Sequence, residues 1–138
     1  MVKLLVGKKG TGKTKHLIDL VHETALESKG NVVCIEKGDS LTYDIKSSVR
    51  LISAAEYGIS DYEKMFGFVC GIMSSDYDCT HIFIDSITNI CGEDMSTLTS
   101  FFTSLIAITE RHNLTLISTI SADAPVLPVE LHPFMLNV

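Results

Sequence analysis

An α/β fold of three layers, a mostly parallel central sheet flanked by helices, is what this sequence predicts, and three observations predict it. Short apolar, β-branched runs recur along the chain, at Met1–Val6, Asn31–Glu36, Ile82–Asp85 and Leu114–Thr119. Between them lie segments with apolar residues at three- and four-residue spacing, long enough to cross over between parallel strands. The composition is 46% hydrophobic with a mean hydropathy of +0.28, which favours elements buried on more than one side. The 138 residues fit one domain, 1–138, able to bury a core without disulfides or metal.

Met1–Val6 reads as a buried strand stopped by Gly7. After a polar loop, Leu17, Leu20, Val21, Thr24, Ala25 and Ser28 mark a helix, with Lys29-Gly30 as its stop signal. Asn31 to about Glu36 is a second buried strand, ending in a Gly-containing polar loop, and "SVRLISA" a weaker third. The stretch Leu41–Lys46 between them matches no template. Ser60-Asp61-Tyr62-Glu63 fits a capping box, so a helix is expected from Ser60 to about Ser74. Its apolar residues, from Tyr62 through Phe66, Phe68 and Cys70 to Met73, nearly surround it, which calls for deep burial or a partner. "THIFIDSI" supplies the strand ending at Asp85, and Leu98, Phe101, Phe102, Leu105, Ile106 and Thr109 form the stripe of the next helix. Leu114 to about Thr119 is another strand. Pro125, Pro128 and Pro133 exclude the following residues from a sheet interior, leaving Phe134–Val138 as a possible edge strand.

The formal net charge of −6 offers no general field for nucleic acid, although Lys3, Lys8, Lys9, Lys13 and Lys15 crowd one end. Cys34, Cys70, Cys79 and Cys91 show no C-x-x-C pairing and read as buried reduced thiols; the five histidines are scattered. No apolar run reaches membrane-spanning length, and Lys3 followed at once by Gly7 is unlike a signal peptide, so a cytoplasmic location is expected.

One stretch names a chemistry. Gly7-Lys8-Lys9-Gly10-Thr11-Gly12-Lys13-Thr14 matches G-x-x-x-x-G-K-[ST], which a random chain of this length would contain roughly once in two hundred. A preceding strand and a following helix make chance a poorer explanation still. The strand delivers the turn, and the helix N-terminus adds partial positive charge where backbone amides wrap phosphate. Gly7 and Gly12 let the backbone turn and approach the ligand, and Gly10 adds freedom inside the loop. The amides of Lys9, Gly10, Thr11, Gly12 and Lys13 would cradle the β-phosphate; Lys13 would reach the β and γ phosphates, and Thr14 would offer its hydroxyl to Mg²⁺. Lys8 either touches phosphate or is solvated. Such a loop demands a carboxylate at the end of another buried strand, and Ile82-Phe83-Ile84-Asp85 supplies it.

With GKKGTGKT as Walker A and HIFID as Walker B, the chain resembles the P-loop NTPase superfamily over most of its length. Within it the chain looks most like the RecA-like branch, through "VRLIS", a loop, the capped helix and "HIFIDSI"; in outline it is similar to short bacterial ATP-binding proteins. The resemblance implies a compact RecA-like core that binds ATP with Mg²⁺. In that branch a catalytic Glu lies at or just past the strand after the loop helix, where Glu36 and Asp39 stand, and would activate the attacking water. A polar residue near the end of the later strand senses the γ-phosphate, which here means Ser118, Thr119 or Ser121. Ser86 occupies the place of a second acid found in many ATPases, so the resemblance implies binding more directly than hydrolysis.

Neither N/T-K-x-D nor, after Asp85, D-x-x-G occurs, which favours ATP over GTP. Arg50 and Arg111 are the only arginines, too few for the phosphate clamp of a small-molecule kinase, though either could serve a neighbouring copy as an arginine finger. Three readings stand: a small ATPase yielding ADP and phosphate, with turnover dependent on a protein partner or self-association; a nucleotide-sensing module with little hydrolysis; and a small-molecule kinase.

Overall fold

The computed structural model describes residues 1–136. Its strands are β1 (Val2–Gly7), β2 (Asn31–Glu36), β3 (Arg50–Ser53), β4 (Cys79–Ile84) and β5 (Thr115–Ser121). They form one sheet in the order β1-β5-β4-β2-β3 with every pairing parallel. The helices are α1 (Lys13–Glu27), α2 (Tyr62–Ser75), the five-residue α3 (Ile87–Cys91) and α4 (Met95–Arg111). Among the described residues no helix is long and apolar enough to cross a membrane.

Alternation along the strands sorts side chains to two faces. Leu5, Val32, Cys34, Phe83 and Ile117 pack with Leu17 and Val21 of α1. Leu4, Val33, Ile35, Ile82, Ile84, Leu116 and Ile120 pack on the other face with Met65 and Val69 of α2 and Leu98, Phe102 and Leu105 of α4. The expected helix–sheet–helix layering is therefore present. The unassigned stretch Leu41–Lys46 is a run of turns whose Leu41 and Ile45 are buried with Val49 on the α1 face.

Four local expectations need correction. Helix α2 is capped by Asp61, whose extended backbone lets its carboxylate accept from the Lys64 amide at 2.8 Å, so Ser60 lies outside the helix and the Ser60–Glu63 box does not form. An ionised acceptor one residue later serves the same orphan amides as the hydroxyl would. Helix α2 is also not buried all round: Tyr62, Met65, Val69 and Met73 form the inner stripe, while Phe66, Phe68, Cys70 and Ile72 are half-buried beside it. Helix α1 does stop just before Lys29-Gly30, at Glu27 with Ser28 as its C-cap, but Gly30 lacks the positive φ of a helix cap; a Cβ there would run into the Asp78 carbonyl, which accepts from the Asn31 amide at 2.7 Å. Its role is close backbone approach. The proline-bearing end forms short 3₁₀ turns over Ala124–Val126 and Val129–Phe134, so Phe134 is not in a strand. Met135 then makes a single parallel bridge to Leu4, and the Leu136 amide donates to the Leu4 carbonyl at 2.8 Å; Asn137 and Val138 lie outside the described residues.

Candidate functional site

The glycine loop leaves the C-terminal end of β1 and runs straight into α1. Gly10 and Gly12 both sit at φ +83°, where a side chain is disfavoured. A Cβ on Gly7 would stand 2.9 Å from the Thr11 hydroxyl oxygen, which itself donates to the Lys8 carbonyl at 2.7 Å. The glycines at these positions therefore answer to backbone geometry and space. Gly12 is the N-cap of α1 and offers no side chain to the orphan amides of the first turn, which also contains no acid. A fifteen-residue helix thus begins uncapped, with its positive end open to an anion.

Lys13 folds over this loop, its ammonium donating to the Lys8 carbonyl at 2.7 Å. Partial burial holds it below the usual lysine value, while Asp85 pulls the other way. Lys8 extends outward and pairs with Asp123 at 3.6 Å, both side chains well exposed.

Asp85 follows β4 directly, and its amide continues the ladder by donating to the Ile35 carbonyl at 2.9 Å. The residue is only 8% exposed, and its carboxylate turns toward the first turn of α1. There it accepts from the Thr14 hydroxyl, whose oxygen lies 3.1 and 3.2 Å from the two carboxylate oxygens. The Thr119 hydroxyl donates to the same carboxylate at 2.9 Å. Thr14 and Asp85, 71 positions apart in the chain, are thus brought to one point.

A cavity of about 410 Å³ opens here, lined by the loop residues Lys9, Gly10, Gly12, Lys13 and Thr14 and by Ser40, Asp85, Ser86, Asn89 and Ser121. A neighbouring chamber of about 460 Å³ shares Ser40, Asp85, Ser86 and Asn89 with it and is bounded further by Glu36, Lys37, Gly38 and Asp39. Both lie at the C-terminal edge of the parallel sheet. The chain leaves β1 for α1 on one face and leaves β4 for α4 on the other, and between strands that part in this way parallel sheets place their ligands.

The two candidate carboxylates differ. Glu36 is 2% exposed and holds the following turn, accepting from the Leu41 amide at 3.1 Å and the Ser40 hydroxyl at 3.1 Å. Asp39 is exposed on the chamber rim. Of the three polar residues on β5, Ser118 is fully buried and donates to the Thr119 carbonyl, and Thr119 is fully buried against Asp85. Only Ser121, paired in register with Gly7, lines the cavity. Arg50 begins β3 and Arg111 ends α4 just before β5, so both lie toward the opposite, N-terminal edge of the sheet.

Sequence reasoning passed over Ser40 and Asn89, and noted Ser86 only as standing where a second acid would. Ser86 carries a structural mark, φ 57° and ψ 57°, a left-handed conformation rare outside glycine and frequent at functional sites. Nothing in the sequence sets Asn89 apart, since its placement depends on the short helix α3. Among the described residues no three His, Cys, Asp or Glu converge on a metal-sized site. A cation here would take protein oxygens from Thr14 and Asp85 and the rest from ligand and water.

No protein-family model matches the chain, and no curated protein matches it.

Proposed function

We propose that this chain is a Mg²⁺-dependent ATP-binding protein of the P-loop NTPase kind, with a compact RecA-like core, and that it hydrolyses ATP to ADP and phosphate. One observation carries the reading: a glycine loop with two left-handed glycines opens an uncapped helix whose Thr14 hydroxyl meets the Asp85 carboxylate. Strand-end glycines, open amides, a lysine and a hydroxyl–carboxylate pair in one cavity answer the needs of a polyphosphate and a hard cation together.

The donor set fits Mg²⁺, which prefers oxygen, binds through one or two protein groups and keeps phosphate and water as its other ligands. Thr14 and Asp85 would hold it, and its charge would offset that on the β and γ phosphate oxygens. The loop amides would bind the β-phosphate, and Lys13 would exchange its bond to the Lys8 carbonyl for phosphate oxygens. Ser121 is the side chain best placed to meet a γ-phosphate.

For hydrolysis, Glu36 is the proposed base. Its carboxylate borders the chamber beside the phosphate cavity, and its hydrogen bonds to Ser40 and Leu41 leave acceptor sites free for a water proton. Asp39 remains a rim residue able to assist. A second reading, a nucleotide sensor with little turnover, draws on the same contacts: Glu36 already serves as the tether of the turn, and Ser86 stands where a second acid would. A kinase draws no support from the arginines, both of which lie toward the far edge of the sheet. The reading extends to a protein partner or a second copy of the chain as the agent that stimulates turnover.

The test is to titrate ATP, ADP and GTP with Mg²⁺ into wild type and Lys13→Ala and to follow phosphate release. ATP should bind wild type most tightly and lose at least about tenfold in affinity in the variant, since charged hydrogen bonds to phosphate go with the ammonium. Equal binding by the two proteins would defeat the proposal. Binding without phosphate release would select the sensor.

A further inference from the structure

Thr119 is fully buried and lines neither the phosphate cavity nor the chamber beside it, yet it touches the centre of the site. Its hydroxyl has one proton to give and gives it to Asp85 Oδ1 at 2.9 Å. The Thr119 hydroxyl oxygen in turn accepts from the Ser86 amide at 2.6 Å. The register explains the meeting: Ile84 of β4 pairs with Ser118 of β5, so the next residue of each strand, Asp85 and Thr119, stands side by side. Both point to the α1 face, two positions on from Phe83 and Ile117. On the reading just given, we infer that Thr119 is a positioning residue: it aims the Asp85 carboxylate at the Mg²⁺ end of the site and holds Ser86 in the left-handed turn behind it.

Three features separate this from the γ-phosphate-sensing role that the sequence suggested for Thr119. The hydroxyl is spent on two internal partners and has no access to the cavity, whereas Ser121 lines it. Thr14, the other donor to Asp85, belongs to the loop helix and would be drawn to the ligand, so Thr119 is the partner that stays. Ser86 is a non-glycine residue at φ 57°, a conformation that persists only where its surroundings hold it, and the bond from its amide to Thr119 is part of that hold.

The experiment compares wild type, Thr119→Val and Thr119→Ser by titrating Mg²⁺ at fixed ATP, with ATP binding in chelator measured separately. Mn²⁺ in place of Mg²⁺ gives a direct spectroscopic count of bound metal. Valine keeps the volume and removes the hydroxyl; serine keeps the hydroxyl. The inference expects the half-saturating Mg²⁺ of Thr119→Val to rise at least about tenfold, as befits one lost hydrogen bond to a charged group. It expects metal-free ATP affinity to stay within about twofold, and serine to restore wild-type metal dependence. An unchanged metal dependence in Thr119→Val overturns it, as does an equal fall in metal-free binding, which would mark Thr119 as a packing residue. Should valine prevent folding, as a thermal melt would reveal, Thr119→Ala against Thr119→Ser decides by the same comparison. Wild type that binds no ATP at any Mg²⁺ concentration overturns the reading of the site itself, an outcome distinct from all of these.

Discussion

Lys13 is the side chain on which the proposed phosphate chemistry depends most directly. In the free protein its ammonium is partly desolvated over the loop and held below the ordinary value of 10.5, with Asp85 opposing the shift. Phosphate binding needs the charged form, so ATP affinity should fall as pH rises through the lowered value, earlier than an ordinary lysine would dictate. Lys13→Arg should flatten that dependence, because a guanidinium stays charged throughout the range. Calorimetric titration across the alkaline range checks both. For the fold alone the sign is reversed: a base whose pKa is lowered on folding is held charged at some cost below that pKa, and the cost is relieved as pH rises. Cys34, buried on the α1 face, is pushed up to about 12 by desolvation first and then by the Asp85 and Glu36 carboxylates.

Among the elements, α1 and α2 begin in opposite ways. Helix α1 starts on a bare Gly12 with Lys13 and Lys15 in its first turn, whereas α2 starts on Asp61 with Glu63 in its first turn. A helix that only needed stability would use the second arrangement, since a capping oxygen and an acidic first turn both favour the N-terminus. Asp61→Ala should therefore cost about 0.5–2 kcal/mol in urea unfolding, while Ser60→Ala, one residue outside the helix, should change the midpoint little. A larger loss from Ser60 would restore the capping box. The sequence placed this helix correctly but not its cap, because Ser60 and Asp61 are both good caps and the choice lies in the entry angle of the chain. The position of the loop between β1 and α1 was legible, because a glycine cluster between a strand and a helix is a local pattern, but its backbone was not: the left-handed residues are Gly10 and Gly12, while Gly7 is held by the closeness of Thr11.

At the scale of the whole molecule, the sheet order makes the site. Strand β5 lies between β1 and β4, so the loop after β1 and Asp85 after β4 face one crevice with β5 as its floor. Glu36 ties the turn that follows β2 to the wall of the adjoining chamber through Ser40 and Leu41, so the same carboxylate that would orient water also anchors a neighbouring segment. Glu36→Gln keeps the shape and an acceptor for the Leu41 amide but removes the base. It should hold ATP binding within about threefold and lower phosphate release at least about a hundredfold. Equal turnover in the variant would take the base role from Glu36 and leave Asp39 to be tested in the same assay.

The sequence by itself determined the layered α/β fold, the glycine loop between strand and helix, and the pairing of that loop with the strand ending at Asp85. These follow from hydrophobic period and backbone conformation, which are written over a few neighbouring residues. Tertiary structure alone decided that Thr119 holds Asp85 while Ser121 faces the cavity, that Glu36 is a tether as well as a candidate base, and that Arg50 and Arg111 stand away from the cavity. Each of those depends on which strand lies beside which and in what register, a relation between segments distant in the chain that no local pattern encodes.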